Sequence, residues 1–384
     1  MIARYWRGVF AHRWALIVHL VGFFLIFDFS VKSIDRFLRP PSPPQIHLSI
    51  RVPDPDSDHG VRPYSSGFER YGSQSVEYFS NSLGLRDEKI REVPLVGPEY
   101  RVLFMGDSMT EAAMVPWEKT FVGHLQARLR GKAEILNGAI EDFGPSLILP
   151  KLESLLGKKG VRVDQVVVVL SPSVLRTVFT YVKNKNGKIE RLRYGPYQHL
   201  APFLSRTDKL ESWLEVNVEK KFVLLGAIVR NLRLTWRRIH PDTRGVDRLK
   251  TWVAEGYSNL PEEQDLILKG ARRTLDSLDL IQKFLDSRNV ALCIVFLPGP
   301  KALLSSPHAS PLPDQLAGWA KDRGVNYIDL RPFFFGEGAP AEVVARDYLK
   351  NDDHLSEAGH QIVATWLADP RNGLFPPRRQ IPPK

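Results

Sequence analysis

From Arg101 onward, short apolar runs rich in valine, isoleucine and leucine alternate with longer stretches of helical periodicity, and this alternation restricts the fold more than any other feature. Strands joined through helices run parallel, because each crossover returns the chain to the same end of the sheet, and the helices then cover both faces. The expected strands are 101–105, 133–137, 165–170, 290–297 and 325–330, and the run QVVVVL is apolar enough for the middle of the sheet. Helices are expected over 120–130, stopped by Gly131, over 261–288, with Pro261 in the first turn, and from a Ser356 cap to about Leu367. A chain of 384 residues, 43% hydrophobic and 25% charged, accommodates one large α/β domain with additions.

Two stretches stand apart. Residues 46–100 are broken by Gly, Pro and Ser and read as a leader with a strand or two. Residues 175–260, rich in Arg, Lys and Trp, show no strand rhythm and read as an insertion into a domain spanning 101–375. The insertion is either a lid over the site or, around 222–236, a helix that lies at a membrane interface or packs on the domain.

The single cysteine, Cys293, excludes an intrachain disulfide and a cysteine-based zinc site, and its apolar surroundings assign it to packing. Histidine spacing gives no metal site, so neither a metal nor a cofactor is expected. The net charge of +10 favours acidic partners, but no zinc finger, basic zipper or aromatic RNA-binding signature accompanies it, and nucleic acid is not expected as a partner.

Chemistry concentrates in two distant segments. Arg101-Val-Leu-Phe-Met-Gly-Asp-Ser-Met-Thr-Glu111 places Ser108 directly after a strand and a turn-forming glycine. That is the carboxyl edge of a parallel sheet, where α/β sites form, and a helix starting there favours an oxyanion. Serine needs a base to become nucleophilic, and a histidine oriented by a carboxylate supplies one. His354 follows Asp352 and Asp353 on a loop before the last helix. His360, further along, reads as structural.

Together these segments resemble the SGNH/GDSL hydrolases, with Gly-Asp-Ser as the first block and an aspartate-histidine pair as the last. Asn81-Ser-Leu-Gly-Leu-Arg86 resembles the leader motif of many bacterial members, and the runs from Asn137 and Val166 stand where the second and third blocks stand. The resemblance implies a three-layer α/β sandwich with a parallel sheet, Ser108 as nucleophile and His354 as base. Asp352 stands at the spacing of the membrane-anchored, acetyltransferase-like bacterial branch, with Asp353 as the alternative and Asn351 at the other family spacing. It also implies an oxyanion hole from the Ser108 N–H, a second-block N–H at Asp142 or Gly144, and Ser173 in place of the usual asparagine. Loss of one such donor typically costs about 10²- to 10³-fold in kcat. The turn at Lys301 resembles a proline-lysine turn of the same branch.

The N-terminus places the protein. Residues 14–29 are apolar apart from His19 and Asp28 and follow Arg4, Arg7, His12 and Arg13. At ~1.5 Å per residue they cover roughly 24 Å, and no small-residue cleavage site follows. An uncleaved transmembrane signal anchor within residues 1–39 is therefore expected, then a stiff Pro-rich spacer from Arg39 and a domain in the bacterial periplasm. The expected function is serine-dependent hydrolysis or transfer of an acyl group on a small-molecule, glycan or lipid-linked ester. The alternative is a catalytically impaired binding or assembly protein of the same fold.

Overall fold

The computed structural model describes residues 50–71, 74–97, 100–192, 224–239, 261–304, 310–336, 338–350, 352–372 and 374–375, with isolated positions between 15 and 30 and between 206 and 218. The chain divides into two compact units, one of Met1–Ile46 with Tyr197–Asp247, the other of His47–Pro196 with Arg248–Lys384.

Among the described residues the larger unit carries twelve strands: β1 (Arg51–Asp54), β2 (Asp58–Val61), β3 (Ser66–Tyr71), β4 (Gln74–Ser80), β5 (Arg86–Asp87), β6 (Tyr100–Met105), β7 (Ala133–Asn137), β8 (Gln165–Leu170), β9 (Tyr181–Lys183), β10 (Ile189–Arg191), β11 (Ala291–Phe296) and β12 (Asn326–Asp329). The helices are α1 (Ser108–Glu111), α2 (Phe121–Leu129), α3 (Pro145–Leu152), α4 (Val174–Thr180), α5 (Leu224–Ile239), α6 (Pro261–Asp286), α7 (Pro300–Leu304), α8 (Leu312–Arg323), α9 (Arg331–Gly336), α10 (Pro340–Asp347) and α11 (Glu357–Ala368), of which α5 lies in the smaller unit.

The main sheet has eight strands in the order β12-β11-β8-β6-β7-β5-β4-β3. Its first five are parallel, and β5, β4 and β3 extend it antiparallel. Successive residues of a strand point to opposite faces, so a sheet covered twice needs apolar residues at every position. Leu103, Met105, Val166, Val168 and Ile294 pack into one layer with α3, α4, α6 and α8. Val102, Phe104, Val167, Val169 and Val295 pack into the other with α2, α9, α10 and α11. Cys293 belongs to the second layer, and burial pushes its thiol pKa up to about 12, consistent with a packing residue.

Two boundaries differ from the sequence reading. The leader is not outside the domain: it forms β1 to β5, and three of those strands belong to the main sheet. β1 and β2 have four residues each and β5 two, and in β4 the buried Val76 and Tyr78 alternate with exposed Ser75 and Glu77, so none carries the continuous apolar run that marks β8. The insertion begins later than residue 175, because Leu175, Val178, Phe179 and Tyr181 are core residues of the larger unit. Most of the expected anchor at 14–29, and the whole spacer at 39–45, lie outside the described residues. Among the described residues no helix is long and apolar enough to cross a membrane.

Candidate active site

Ser108 opens α1 at the carboxyl end of β6. The turn that delivers it is held by the residues on either side. A Cβ on Gly106 would lie 2.6 Å from Thr110 Oγ1 and 2.9 Å from the Val169 carbonyl, so the strand can leave the sheet here only through glycine. Asp107 caps α1, its Oδ1 accepting from the Met109 N–H at 3.0 Å, while the hydroxyls of Ser171 and Ser173 donate to its Oδ2. The aspartate before Ser108 is thus the buried post on which the turn stands.

His354 comes from a clamped hairpin between α10 and α11. Tyr348 and Leu355 form an antiparallel bridge, the Leu349 N–H donates to the His354 carbonyl at 2.8 Å, and the Ser356 N–H donates to the Asp347 carbonyl at 2.8 Å. Ser356 caps α11 through its side chain, as its place in the sequence implies. A Cβ on Gly359 would fall 2.1 Å from the Asp347 carbonyl oxygen. Gly359→Ala should therefore lower stability by about 1–3 kcal/mol and displace the hairpin, read as a fall in both thermal midpoint and ester turnover; an unchanged midpoint would contradict this packing.

The two segments meet. His354 Nε2 lies 2.8 Å from Ser108 Oγ, and its Nδ1 is hydrogen-bonded to Asp352 Oδ1. Because a carboxylate only accepts, Nδ1 carries the proton and Nε2 accepts from the serine hydroxyl. Asp352 also accepts from the His354 N–H at 2.9 Å, which fixes the carboxylate against the ring. Burial works against the imidazolium. The hydrogen bond and charge of Asp352, aided by the charges of Asp107 and Asp353, outweigh it and raise the His354 pKa above its ordinary value. Asp353 contributes charge, and Asn351 lies outside the described residues.

His360 is buried in α11, accepting from the Phe121 N–H at 3.3 Å and stacked on the Phe121 ring. Burial, then the charge of Arg86, lowers its pKa to about 3, so it stays neutral.

The expected oxyanion residues are placed unequally. Ser173 directs its hydroxyl proton to Asp107, so it does not offer the donor that an asparagine would. Gly144 starts α3, and a Cβ there would meet Thr177 Oγ1 at 2.0 Å, so its glycine character serves the approach of α3 to α4. Asp142 adopts a left-handed backbone, and its carboxylate is drawn aside by Arg176, with Arg191 3.7 Å away. The neighbouring N–H groups of Ile140, Glu141 and Phe143 bond to the Gly106 carbonyl, Glu111 and the Ile140 carbonyl. That of Asp142 has no acceptor among the described residues. Lys301 falls in α7, and its side chain lies outside the described residues.

Sequence reasoning missed the buried charge cluster at the end of α1. Glu111, at the end of α1, accepts from Arg51 Nη1 at 2.5 Å, Tyr78 Oη at 2.8 Å and the Glu141 N–H at 2.8 Å. Burial, then Glu111, raises the Tyr78 pKa well above its ordinary value, so Tyr78 remains a donor. Arg86 is fully buried and donates to the Glu111 and Val115 carbonyls, which α1 and the turn after it leave unpaired. The motif at 81–86 makes that reach possible. Asn81 Oδ1 accepts from the N–H groups of Leu83 and Leu85, and Gly84 sits at φ +73°, where a Cβ would strike the Val61 carbonyl at 2.5 Å. The motif thereby aims Arg86 at the turn that carries Ser108.

A cavity of about 180 Å³ opens beside Ser108 and His354, walled by Arg51, Glu111, Ala113 and Met114. A wider groove of about 920 Å³ runs from His354 along Leu304, Val344, Tyr348 and Leu349.

No family model matches the chain, and no curated protein matches its sequence. Among solved structures it is similar to an acetyl xylan esterase, at 15% identity and a TM-score of 0.38, over 69% of this chain and 96% of that one. It is similar to a putative lipolytic protein of the G-D-S-L family from Desulfitobacterium hafniense, at 8% identity and a TM-score of 0.39, over 72% and 100%. It is also similar to an acetylxylan esterase from Geobacillus stearothermophilus, at 12% identity and a TM-score of 0.38, over 73% and 96%.

Proposed function

We propose that this chain is a serine-dependent ester hydrolase or acyl transferase of the SGNH type. The observation that carries the reading is the approach of Ser108 Oγ to His354 Nε2 at 2.8 Å with Asp352 on the opposite ring nitrogen. In this reading Ser108 attacks the ester carbonyl as His354 takes its proton, Asp352 holds the ring and stabilises the imidazolium, and the developing oxyanion is met by the N–H groups of Ser108 and Asp142. The imidazolium then protonates the leaving alkoxide. Water, or a hydroxyl of an acceptor, repeats the sequence on the acyl-enzyme and releases the serine. Pairing of the Asp142 carboxylate with Arg176 removes the negative charge that would oppose the oxyanion.

The small cavity suits a short acyl group and the groove beyond His354 suits the alcohol part, which must lie where the imidazolium can protonate it. The substrate we favour is an exported glycan or lipid-linked ester, on a domain held at the periplasmic face of a bacterial inner membrane by the apolar stretch at 14–29. The engaged hydroxyl of Ser173 favours a second reading, a slowed or inactive protein that binds cell-envelope polysaccharide.

The pH profile of a small ester's hydrolysis tests the reading. The base acts when neutral, so kcat/KM should rise with pH along a limb set above the ordinary imidazole value, because the folded pKa is raised. Asp352→Asn removes the two largest raising effects. It should move that limb to lower pH and reduce the plateau by about 10⁴-fold. Turnover that is absent at every pH favours the binding protein, and a profile flat through the histidine range removes His354 as the base.

A further inference from the structure

The hairpin of β1 and β2 lies outside the main sheet, yet it bears from two sides on Glu141, the residue before the proposed oxyanion donor. From β1, Arg51 holds Glu111, whose Oε2 accepts from the Glu141 N–H at 2.8 Å. From β2, His59 Nε2 lies 2.7 Å from the Glu141 carbonyl oxygen. That carbonyl shares its peptide unit with the Asp142 N–H. Other contacts fix the His59 ring: Nδ1 lies 2.9 Å from Asp58 Oδ2, the Phe143 ring packs against it edge to face with centroids 5.1 Å apart, and Tyr181 lies at 5.9 Å. Carbonyl and carboxylate only accept, so both polar contacts are complete when each ring nitrogen carries a proton.

The peptide held in this way has two orientations open to it. The Phe143 N–H donates to the Ile140 carbonyl at 3.0 Å, closing a β-turn with Glu141 and Asp142 at its centre, and of these two only Asp142 has a positive φ, +62°. That combination is a type II turn, which favours glycine at the position Asp142 occupies. Rotating the central peptide by about 180° gives a type I turn, in which an aspartate returns to a negative φ. The C=O and N–H of a trans peptide point in opposite directions, so the same rotation carries the Asp142 N–H to the other side of the turn. Local preference works against the observed orientation, and the bond from His59 works for it. We propose that His59 is a positioning residue for ester turnover, which holds the Glu141 carbonyl and so keeps the Asp142 N–H aimed at the oxyanion. The proposal rests on the catalytic reading, in which that N–H is an oxyanion donor. A donor on the carbonyl also polarises the peptide and strengthens its N–H.

The test replaces His59 in the full chain and measures kcat, KM and the thermal midpoint with a small ester. His59→Phe keeps a ring against Phe143 and Tyr181 and removes the donor. His59→Gln places an amide N–H as many bonds from the backbone as Nε2. Outright loss of an oxyanion donor costs about 10²- to 10³-fold, so a donor that is only left unaimed should cost His59→Phe about 10- to 10²-fold in kcat, with KM and midpoint unchanged. His59→Gln should retain most of the turnover. Asp142→Gly in the His59→Phe background should recover part of the loss, because glycine favours the type II turn without help. Wild-type kcat in His59→Phe overturns the proposal. So does a loss that neither His59→Gln nor Asp142→Gly recovers, or one that falls on KM or on the midpoint instead. A wild type that turns over no ester is a failure of the catalytic reading, and the proposal falls with it; an active wild type matched by His59→Phe removes the role of His59 alone.

Discussion

Ser108→Ala is expected to lower ester turnover by about 10⁴- to 10⁶-fold with no measurable loss of stability. The reason lies in the geometry around the hydroxyl. In the proposed reading it is the attacking atom, and it lies 2.8 Å from the Nε2 of His354, whose Nδ1 is hydrogen-bonded to Asp352. Its removal leaves the turn intact, because the turn stands on Gly106 and on Asp107, whose carboxylate holds Met109, Ser171 and Ser173. His354→Ala should give a comparable loss, and the double variant little more, since a nucleophile without its base and a base without its nucleophile are equally idle. Activity within about tenfold of wild type in either variant would contradict the assignment.

The second large effect concerns stability. Glu111→Gln should destabilise the protein by about 3–5 kcal/mol, seen as a lower urea midpoint. The carboxylate is buried and serves Arg51, Tyr78 and the Glu141 N–H at once. An amide of the same shape offers one oxygen where two were engaged and leaves the Arg51 charge without its closest partner. Burial opposes ionisation of Arg51, and Glu111, aided by Glu69, holds it charged nonetheless. Arg51→Ala in the Glu111→Gln background should cost less than it does alone, which a double-mutant cycle measures. Because Glu111 ends the helix that Ser108 begins, turnover should fall with the midpoint. A midpoint unchanged in Glu111→Gln would mean that the cluster contributes nothing to holding α1.

The parallel half of the sheet was readable because its residues are buried on both sides. Gln165–Leu170 has no exposed position, and a run of that kind admits little besides a central strand. The Ser356 cap was also accessible, since it depends on residue types at short spacing within a segment, and so does the Asp352–His354 pair, whereas the approach of Ser108 to His354 joins residues 246 positions apart. The antiparallel extension was not. β5 pairs over two residues, and β3 carries Phe68 more than half exposed, so neither gives the alternation that marks a strand.

The cluster at Glu111 lay further out of reach. Its contacts join residues 25 to 60 positions apart, from a hairpin, two inner strands of the antiparallel extension and a turn, to a glutamate that the sequence offers only as the end of the Ser108 segment. An available signal was an arginine closing an Asn-x-x-Gly turn, which proves to be a buried ligand of backbone carbonyls. In the runs from Asn137 and Val166, the bond of Ser173 and the close approach at Gly144 involve Asp107 and Thr177, neighbours that no local spacing reveals.

The most direct test of the central claim is labelling of the folded, full-length chain with a fluorophosphonate, followed by mass mapping of the modified peptide. The probe reports an activated serine without knowledge of the acyl group or the acceptor. Phosphonylation at Ser108 in wild type, absent in Ser108→Ala and suppressed in His354→Ala, is the predicted result. A folded protein that remains unmodified, or one modified equally when His354 is replaced, would contradict a serine nucleophile activated by that histidine.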